Sequence, residues 1–113
     1  MLIALALINK CSVNNESLQG TWVSNEDEHY RVKFTKDKFY EIYGSDTSVY
    51  KYTRSSKSCD ESYSKDPKLD FLSIDDGRCF EITGVTDTTL AYRYTVSGKM
   101  QVFHKLHSLK KNR

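Results

Sequence analysis

The stretch LQGTW, residues 18–22, contains the only tryptophan of a 113-residue chain and lies where strand-like patterning begins. Gly20 and Trp22 have the same parity in an extended segment, so both project to one side of it. The glycine has no side chain that could obstruct the indole. This pair marks the start of the predicted fold, and the sequence that follows indicates its architecture.

From Leu18 to Leu106 the sequence divides into short apolar stretches with period-two alternation, separated by turn residues. The strongest hairpin turn is DDG at 75–77. The eight predicted strands are LQGTWVS (18–24), EHYRVKF (28–34), DKFYEIYG (37–44), TSVYKYT (47–53), KLDFLSI (68–74), RCFEITGV (78–85), TTLAYRYT (88–95) and KMQVFHKL (99–106). The polar stretch 54–67, which ends at Pro67, is predicted to be a loop anchored through Cys59.

Eight short strands joined mostly by short turns predict an all-β fold in which sequential neighbours pair. Such a meander leaves two unpaired edges, and closure into an eight-stranded antiparallel up-and-down barrel removes them. A two-sheet sandwich is the alternative, but the even spacing of the turns favours the barrel. The length allows one domain. We assign residues 18–107 to the barrel, 1–17 to a signal-peptide remnant with a polar tether, and 108–113 to a basic tail.

The N-terminal residues MLIALALI are all apolar, and no charge occurs before Lys10. Eight residues are too few to span a bilayer, which requires about twenty, but they fit the apolar region of a secretory signal peptide. A first strand or a buried segment is the alternative. An apolar run that ends in a cysteine, here Cys11, and continues into a polar spacer, SVNNES at 12–17, resembles a bacterial lipoprotein signal. The resemblance implies that Cys11 is lipidated and that the protein is exported to the periplasm or cell surface and anchored to a membrane.

Three cysteines are an odd number, which in an exported protein requires an explanation. If Cys11 carries lipid, Cys59 and Cys79 remain as one pair, whose bridge would by chain entropy contribute about 3 kcal/mol to stability. If Phe80 and Ile82 point inward, Cys79 points outward. The disulfide would then hold the 54–67 loop against the barrel wall. Three free thiols in a cytoplasmic protein are the alternative.

A Gly-x-Trp motif in the first strand of an antiparallel barrel, here Gly20 and Trp22, resembles the lipocalin superfamily. The run from LQGTWVSNEDEHYRVKF (18–34) to LAYRYTVSGKMQVFHKL (90–106) is similar to small calycin-type, lipocalin-like lipoproteins of the Bacteroidetes type. The resemblance implies that the tryptophan packs across the closed end of the barrel, that Arg93 is a candidate for the family's arginine if it approaches that end, and that a small apolar or amphipathic ligand is bound. The residues expected to line the ligand are Trp22, Tyr30, Val32, Phe80, Ile82 and Tyr92.

Glu41 leaves two alternatives open. If Tyr40 and Ile42 face inward, Glu41 is solvated. If Phe39 and Tyr43 face inward instead, Glu41 enters the barrel. In that case it requires a partner such as Arg31 or Arg93 and would mark a polar ligand site.

No other constellation in the sequence indicates catalysis, a cofactor or a metal. The stretch NEDEH at 25–29 combines carboxylates with His29, but an acidic turn explains it better than metal ligation does. His104 and His107 are three residues apart and face opposite sides of a strand. Serines are abundant, yet none lies in a nucleophile-elbow motif. We therefore predict a protein that is not an enzyme.

The balance of 17 basic and 15 acidic residues argues against nucleic acid as a partner. The expected function is that of an exported, lipid-anchored binding protein for a small ligand. The alternative is an interaction or inhibitor module with a filled barrel that contacts a protein through loop 54–67. Small barrel inhibitors of lysozyme are similar in being lipid-anchored and disulfide-clipped, and SGK at 97–99 matches part of their motif. A cavity of about 300 Å³ or more would favour the small ligand.

Overall fold

The computed structural model describes residues 17–60 and 69–107, which form a closed antiparallel barrel of eight strands. Each strand pairs with the next one along the chain, and the last pairs with the first. The strands are β1 (Gly20–Ser24), β2 (Tyr30–Phe34), β3 (Lys38–Tyr43), β4 (Asp46–Ser55), β5 (Asp70–Ile74), β6 (Cys79–Val85), β7 (Thr89–Tyr94) and β8 (Met100–Lys105). The predicted all-β, up-and-down barrel is confirmed.

The differences from the prediction lie at the ends of the elements. β4 continues to Ser55, so the loop predicted to begin at 54 begins two residues later. The predicted lipidation at Cys11, the basic tail 108–113 and loop residues 61–67 lie outside the described residues. Within the described part of the chain, no helix is long and apolar enough to cross a membrane.

The interior of the barrel is filled with side chains. Alternate positions of each strand project inward, and the aromatic and aliphatic residues at those positions form one buried cluster. Its members are Leu18, Trp22, Val32, Phe34, Phe39, Tyr52, Leu72, Ile74, Phe80, Ile82, Leu90, Tyr92 and Phe103. This core occupies the space that a large apolar ligand would need.

Trp22 seals the end of the barrel at which β1 begins. Its side chain is fully buried, and its Nε1 donates a hydrogen bond to the Leu18 carbonyl at 2.8 Å. The Lys105 Nζ lies 4.5 Å from the centre of the indole and donates to the Gln19 carbonyl at 2.9 Å. Gly20 has a φ of +122°, and a Cβ there would lie 2.7 Å from the Lys105 Cε. The glycine is therefore required by its backbone conformation and by the lysine that crosses it.

Arg93 does not meet the condition for the family's arginine, because it does not approach Trp22. Arg93 and Glu81 are partners in the β6–β7 register, and the guanidinium Nη1 lies 3.9 Å from the Glu81 Oε1. Phe80 and Ile82, on either side of Glu81, point into the core, so this pair projects from the opposite face of the sheet. Lys105 takes the position over the indole because barrel closure pairs it with Trp22.

The predicted disulfide between Cys59 and Cys79 is confirmed, with the Cα atoms 5.8 Å apart. It fastens the start of the β4–β5 connection to the outside of the barrel, as expected from the inward positions of Phe80 and Ile82. The neighbouring Thr95 Oγ1 donates to the Asp60 Oδ2 at 2.8 Å. Residues 59 and 60 of the connection are thus attached to the first residue of β6 and to the residue that follows β7.

Candidate functional site

The end of the barrel opposite Trp22 contains a cavity of about 240 Å³ that opens to solvent. A second depression, of about 270 Å³, shares three of its lining residues and continues toward the β1–β2 connection. The cavity is lined by Tyr30, Glu41, Arg78, Phe80, Tyr94, Ser97, Lys99 and Gln101. These side chains come from five strands and two turns, so the closed barrel is what brings them together.

Glu41 is the polar centre of this end of the barrel. Phe39 is buried in the core, so Glu41, two residues further on, also faces inward, and the second of the two alternatives for this residue holds. Its carboxylate accepts two hydrogen bonds from Arg78, Nη1 to Oε2 at 2.9 Å and Nη2 to Oε1 at 3.0 Å. A bidentate pair of this kind is both strong and geometrically specific. The expectation of Arg31 or Arg93 as the partner is wrong, because Arg78 reaches inward from the β5–β6 turn.

Arg78 is fixed from several sides. Its Nε donates to the Asp76 Oδ2 at 2.8 Å, and its Cζ lies 5.2 Å from the ring centre of Tyr50 and within 6 Å of two phenylalanine rings. Burial alone would lower the pKa of the guanidinium, but the hydrogen bonds and charges of Glu41 and Asp76 raise it above its ordinary value. Arg78 is therefore a permanently charged, preorganised group in a largely aromatic surrounding.

Two tyrosine hydroxyls lie close to this ion pair. Tyr30 donates to the Glu41 Oε2 at 2.7 Å, and its pKa is raised by burial and by Glu41. The hydroxyl of Tyr92 is buried and has no hydrogen-bond partner in the described structure. Its pKa is also raised well above the ordinary value, by burial first and then by the charges of Tyr30 and Glu41. A buried hydroxyl without a partner costs about 1–3 kcal/mol. The Tyr92 ring packs against Phe80, which borders the cavity, with 4.6 Å between the ring centres.

Lys99 contributes a second cation to the cavity, from the β7–β8 turn. The turn is held by a hydrogen bond from the Lys99 amide to the Ser97 Oγ at 3.1 Å, and Gly98 has a φ of +75°. Within residues 17–60 and 69–107 the ammonium forms no ion pair. The SGK stretch singled out in the sequence therefore borders the cavity and leaves one cation available to a ligand.

The residues predicted to line a ligand fall into two groups. Tyr30 and Phe80 border the cavity. The other four, which are Trp22, Val32, Ile82 and Tyr92, belong to the packed core and do not border it. Contact between a ligand and these residues stays a prediction.

The acidic turn between β1 and β2 is organised by its own hydrogen bonds. Asp27 accepts from the His29 amide at 2.9 Å and from the Tyr43 hydroxyl at 2.9 Å, and these bonds lower the pKa of its carboxyl. His104 contacts Asn25 through Nδ1 at 2.8 Å. The described residues contain no group of three potential ligands that could hold a metal ion.

A groove of about 370 Å³ crosses the outer wall beside this turn and is larger than the cavity. Its lining residues are Val23, Glu28, His29, Arg31, His104 and Leu106. All of them except Val23 are exposed, and the groove contains no buried polar group. Its chemistry is that of an ordinary surface, so the cavity at the open end is the better candidate site.

No family model matches the chain, and comparisons with curated proteins and with solved structures give no match either. The resemblance to lipocalin-like lipoproteins therefore stays a prediction.

Proposed function

We propose that this protein binds a small amphipathic ligand in the cavity at the open end of the barrel and leaves it chemically unchanged. The observation that carries the proposal is the Glu41–Arg78 pair, held by two hydrogen bonds beside a cavity with aromatic walls. Ligand sites typically combine apolar walls with a few fixed polar groups that orient the ligand. The Tyr92 hydroxyl, which is buried and has no hydrogen-bond partner among the described residues, adds a donor that a penetrating ligand or water could satisfy.

The shape of the cavity limits the ligand that we propose. Its volume of about 240 Å³ does not reach the value of about 300 Å³ that was expected to favour a small ligand, and it is below the range of about 300–1,000 Å³ that is usual for drug-sized ligands. The packed core behind it argues against a long apolar chain within the barrel. The ligand that fits best is a small ring system that packs on Phe80 and Tyr94 and carries an anionic group near Lys99.

Probe binding tests this proposal. Anilinonaphthalene sulfonate has an aromatic body and one anionic group, and its fluorescence rises in an apolar site. We expect saturable binding to the folded protein and weaker binding to Lys99→Ala, by about fivefold in Kd, because a partly exposed ion pair contributes about 1 kcal/mol. The uncharged analogue phenylnaphthylamine should not discriminate between the two proteins, whereas Tyr94→Ala should weaken both probes.

Lys51→Ala, which removes a lysine from the opposite side of the β-sheet wall, is the matched control. Because this sulfonate also binds loosely packed states, near-ultraviolet circular dichroism must show that each variant keeps its tertiary packing. Equal weakening by Lys99→Ala and Lys51→Ala, or no saturation at all, would contradict the proposal.

We further propose that the protein is exported and anchored by lipid at Cys11. The apolar run before Cys11 supports this, and so does the Cys59–Cys79 disulfide, since disulfides persist mainly in oxidising compartments. Mass spectrometry of the mature protein is the test. We expect an N-terminal cysteine that carries acyl groups; an unmodified chain that starts at Met1 would overturn the anchor.

A second candidate function is that of an inhibitor or interaction module, and the filled interior favours it. Val96 is 75 % exposed and Tyr43 is 59 % exposed, and both lie at the open end, where they could contact a protein. Inhibition of lysozyme by stoichiometric amounts of the protein, lost in Val96→Asp, would support this function. An unchanged lysozyme rate together with saturable probe binding would favour the small ligand.

A further inference from the structure

The outer wall of β2, β3 and β4 combines basic and apolar side chains and contains no acidic one at its outward positions. Since Val32, Phe34 and Phe39 point into the core, the alternate residues of these strands point outward. The outward residues are Arg31, Lys33, Lys38, Tyr40, Ile42, Thr47, Val49, Lys51, Thr53 and Ser55. The three lysines lie in the half of the wall nearest the closed end, next to the β2–β3 turn.

Two of these lysines face one another directly. Lys38 and Lys51 are partners in the β3–β4 register, so their Cβ atoms lie about 5 Å apart, and like charges in that position destabilise a sheet. Neither forms an ion pair with a described residue. Among residues 17–60 and 69–107, two acids lie at the edges of this wall: Asp37 in the turn, and Asp75, whose amide donates to the Lys51 carbonyl. The excess positive charge is therefore available to an external anion.

Apolar side chains lie between the lysines. Val49 is 51 % exposed and pairs with Tyr40 across the two strands. The Lys33 Nζ lies 5.4 Å from the centre of the Tyr40 ring. Lysines around an exposed aliphatic and an aromatic residue are suited to a surface that is anionic outside and apolar beneath.

We infer that the lysine face, defined as Lys33, Lys38, Tyr40, Val49 and Lys51, docks on an anionic lipid surface. Position in the chain favours lipid over an acidic protein. Gly20 and Thr21, at the start of β1, pair with Phe34 and Lys33, so the preceding chain enters the barrel beside this face.

Six residues, 12–17, separate Cys11 from Leu18, and fully extended they reach about 20 Å. A lipid at Cys11 would hold Leu18 within about that distance of the bilayer, and the lysine face begins on the strand next to β1. The proximity to the bilayer depends on the proposed lipid anchor, whereas the positive charge of the lysine face does not. The docking goes beyond ligand binding, because it uses the opposite end of the molecule.

Vesicle sedimentation tests the inference on the full chain with Cys11→Ser, which prevents lipidation. We expect binding to phosphatidylcholine vesicles that contain phosphatidylglycerol, no binding to phosphatidylcholine alone, and loss of binding at high salt. The double variant Lys38→Gln/Lys51→Gln should bind about 30-fold more weakly, because each lysine near an anionic surface contributes about fivefold. Arg31→Gln/Lys99→Gln removes the same charge from the open end and should bind nearly as well as the parent.

The possible results separate the alternatives. If the two double variants lose equal affinity for the vesicles, net charge alone explains the binding and the inference is overturned. The absence of any vesicle binding would overturn it as well. Binding to polyglutamate but not to vesicles would assign the face to an acidic protein instead. Lys38→Gln/Lys51→Gln should keep or gain stability, because it removes a like-charge pair, and it should bind anilinonaphthalene sulfonate normally. Loss of docking and loss of ligand binding are therefore distinguishable.

Discussion

The two ends of the barrel have a similar cation–aromatic contact, but one end is sealed and the other contains a cavity. Each places a cation against aromatic rings, Lys105 on Trp22 at the closed end and Arg78 on Tyr50 at the open end. Lys105 donates to a main-chain carbonyl and covers an indole that is fully buried. Arg78 binds Glu41 instead, and this carboxylate, about a fifth exposed, brings charge and solvent into the barrel. An inward carboxylate is present at both ends, since Asp70 near the closed end binds Arg54 at 3.1 Å. What distinguishes the two ends is the surface that the cation covers, which is a fully buried indole at one end and the wall of an open cavity at the other.

The largest effect expected from this comparison is the loss of the indole. Trp22→Ala should lower the free energy of unfolding by about 3–5 kcal/mol, because it leaves a large cavity in a packed core. Tyr94→Ala, at the partly solvated open end, should cost about half as much. Urea denaturation of both variants measures the difference, and Val49→Ala on the outer wall is a control expected within about 0.5 kcal/mol of the parent. Equal losses at the two ends would contradict the view that only one of them is sealed.

The architecture could be predicted because its signals are local. Period-two alternation indicated the strands and, in β6, the inward positions of Phe80 and Ile82, and turn residues such as those at 75–77 indicated the number of strands. The cation over Trp22 could not be identified in this way, since Lys105 meets the indole only through the pairing of β8 with β1. One signal was present: Lys105 has the parity of Phe103 and so points inward at the end of its strand.

A double-mutant cycle on Glu41 and Arg78 tests whether the open end is held by its ion pair. Each single variant, Glu41→Gln or Arg78→Met, should lose about 1–3 kcal/mol, because it leaves a partly buried polar partner without its bonds. The coupling energy should be about 1–2 kcal/mol. The same cycle on Asp27 and His29, an exposed pair at the same end with 3.4 Å between its atoms, should give a coupling near zero. A coupling for Glu41 and Arg78 as small as that control would mean that the pair is not preorganised.

Only part of the candidate site could be predicted from the sequence. Glu41 was identified as an inward carboxylate under one of two registers, and the burial of Phe39 decides between them. Its partner was missed because Arg78 projects from a turn, after Gly77 with its φ of +104°. No periodicity constrains the direction of a side chain in such a turn, so parity rules give no prediction for it.

The smallest expected effect concerns the closed end at alkaline pH. The Tyr52 hydroxyl donates to the Thr35 carbonyl at 2.7 Å, and burial, with a smaller effect from Asp37, raises the pKa of Tyr52 to about 12, although Arg54 opposes this. An unfolded tyrosine titrates near pH 10, so above that pH the unfolded chain loses this proton before the folded protein does. The stabilising contribution is therefore complete below about pH 10 and is lost as the pH rises toward 12.

Tyr52→Phe should lower stability by about 1 kcal/mol at neutral pH through the lost hydrogen bond and should flatten the alkaline decline, as measured by urea denaturation across this range. Tyr40→Phe, on the outer wall, is the control, and an alkaline slope in Tyr52→Phe as steep as in the parent would show that another group governs the closed end.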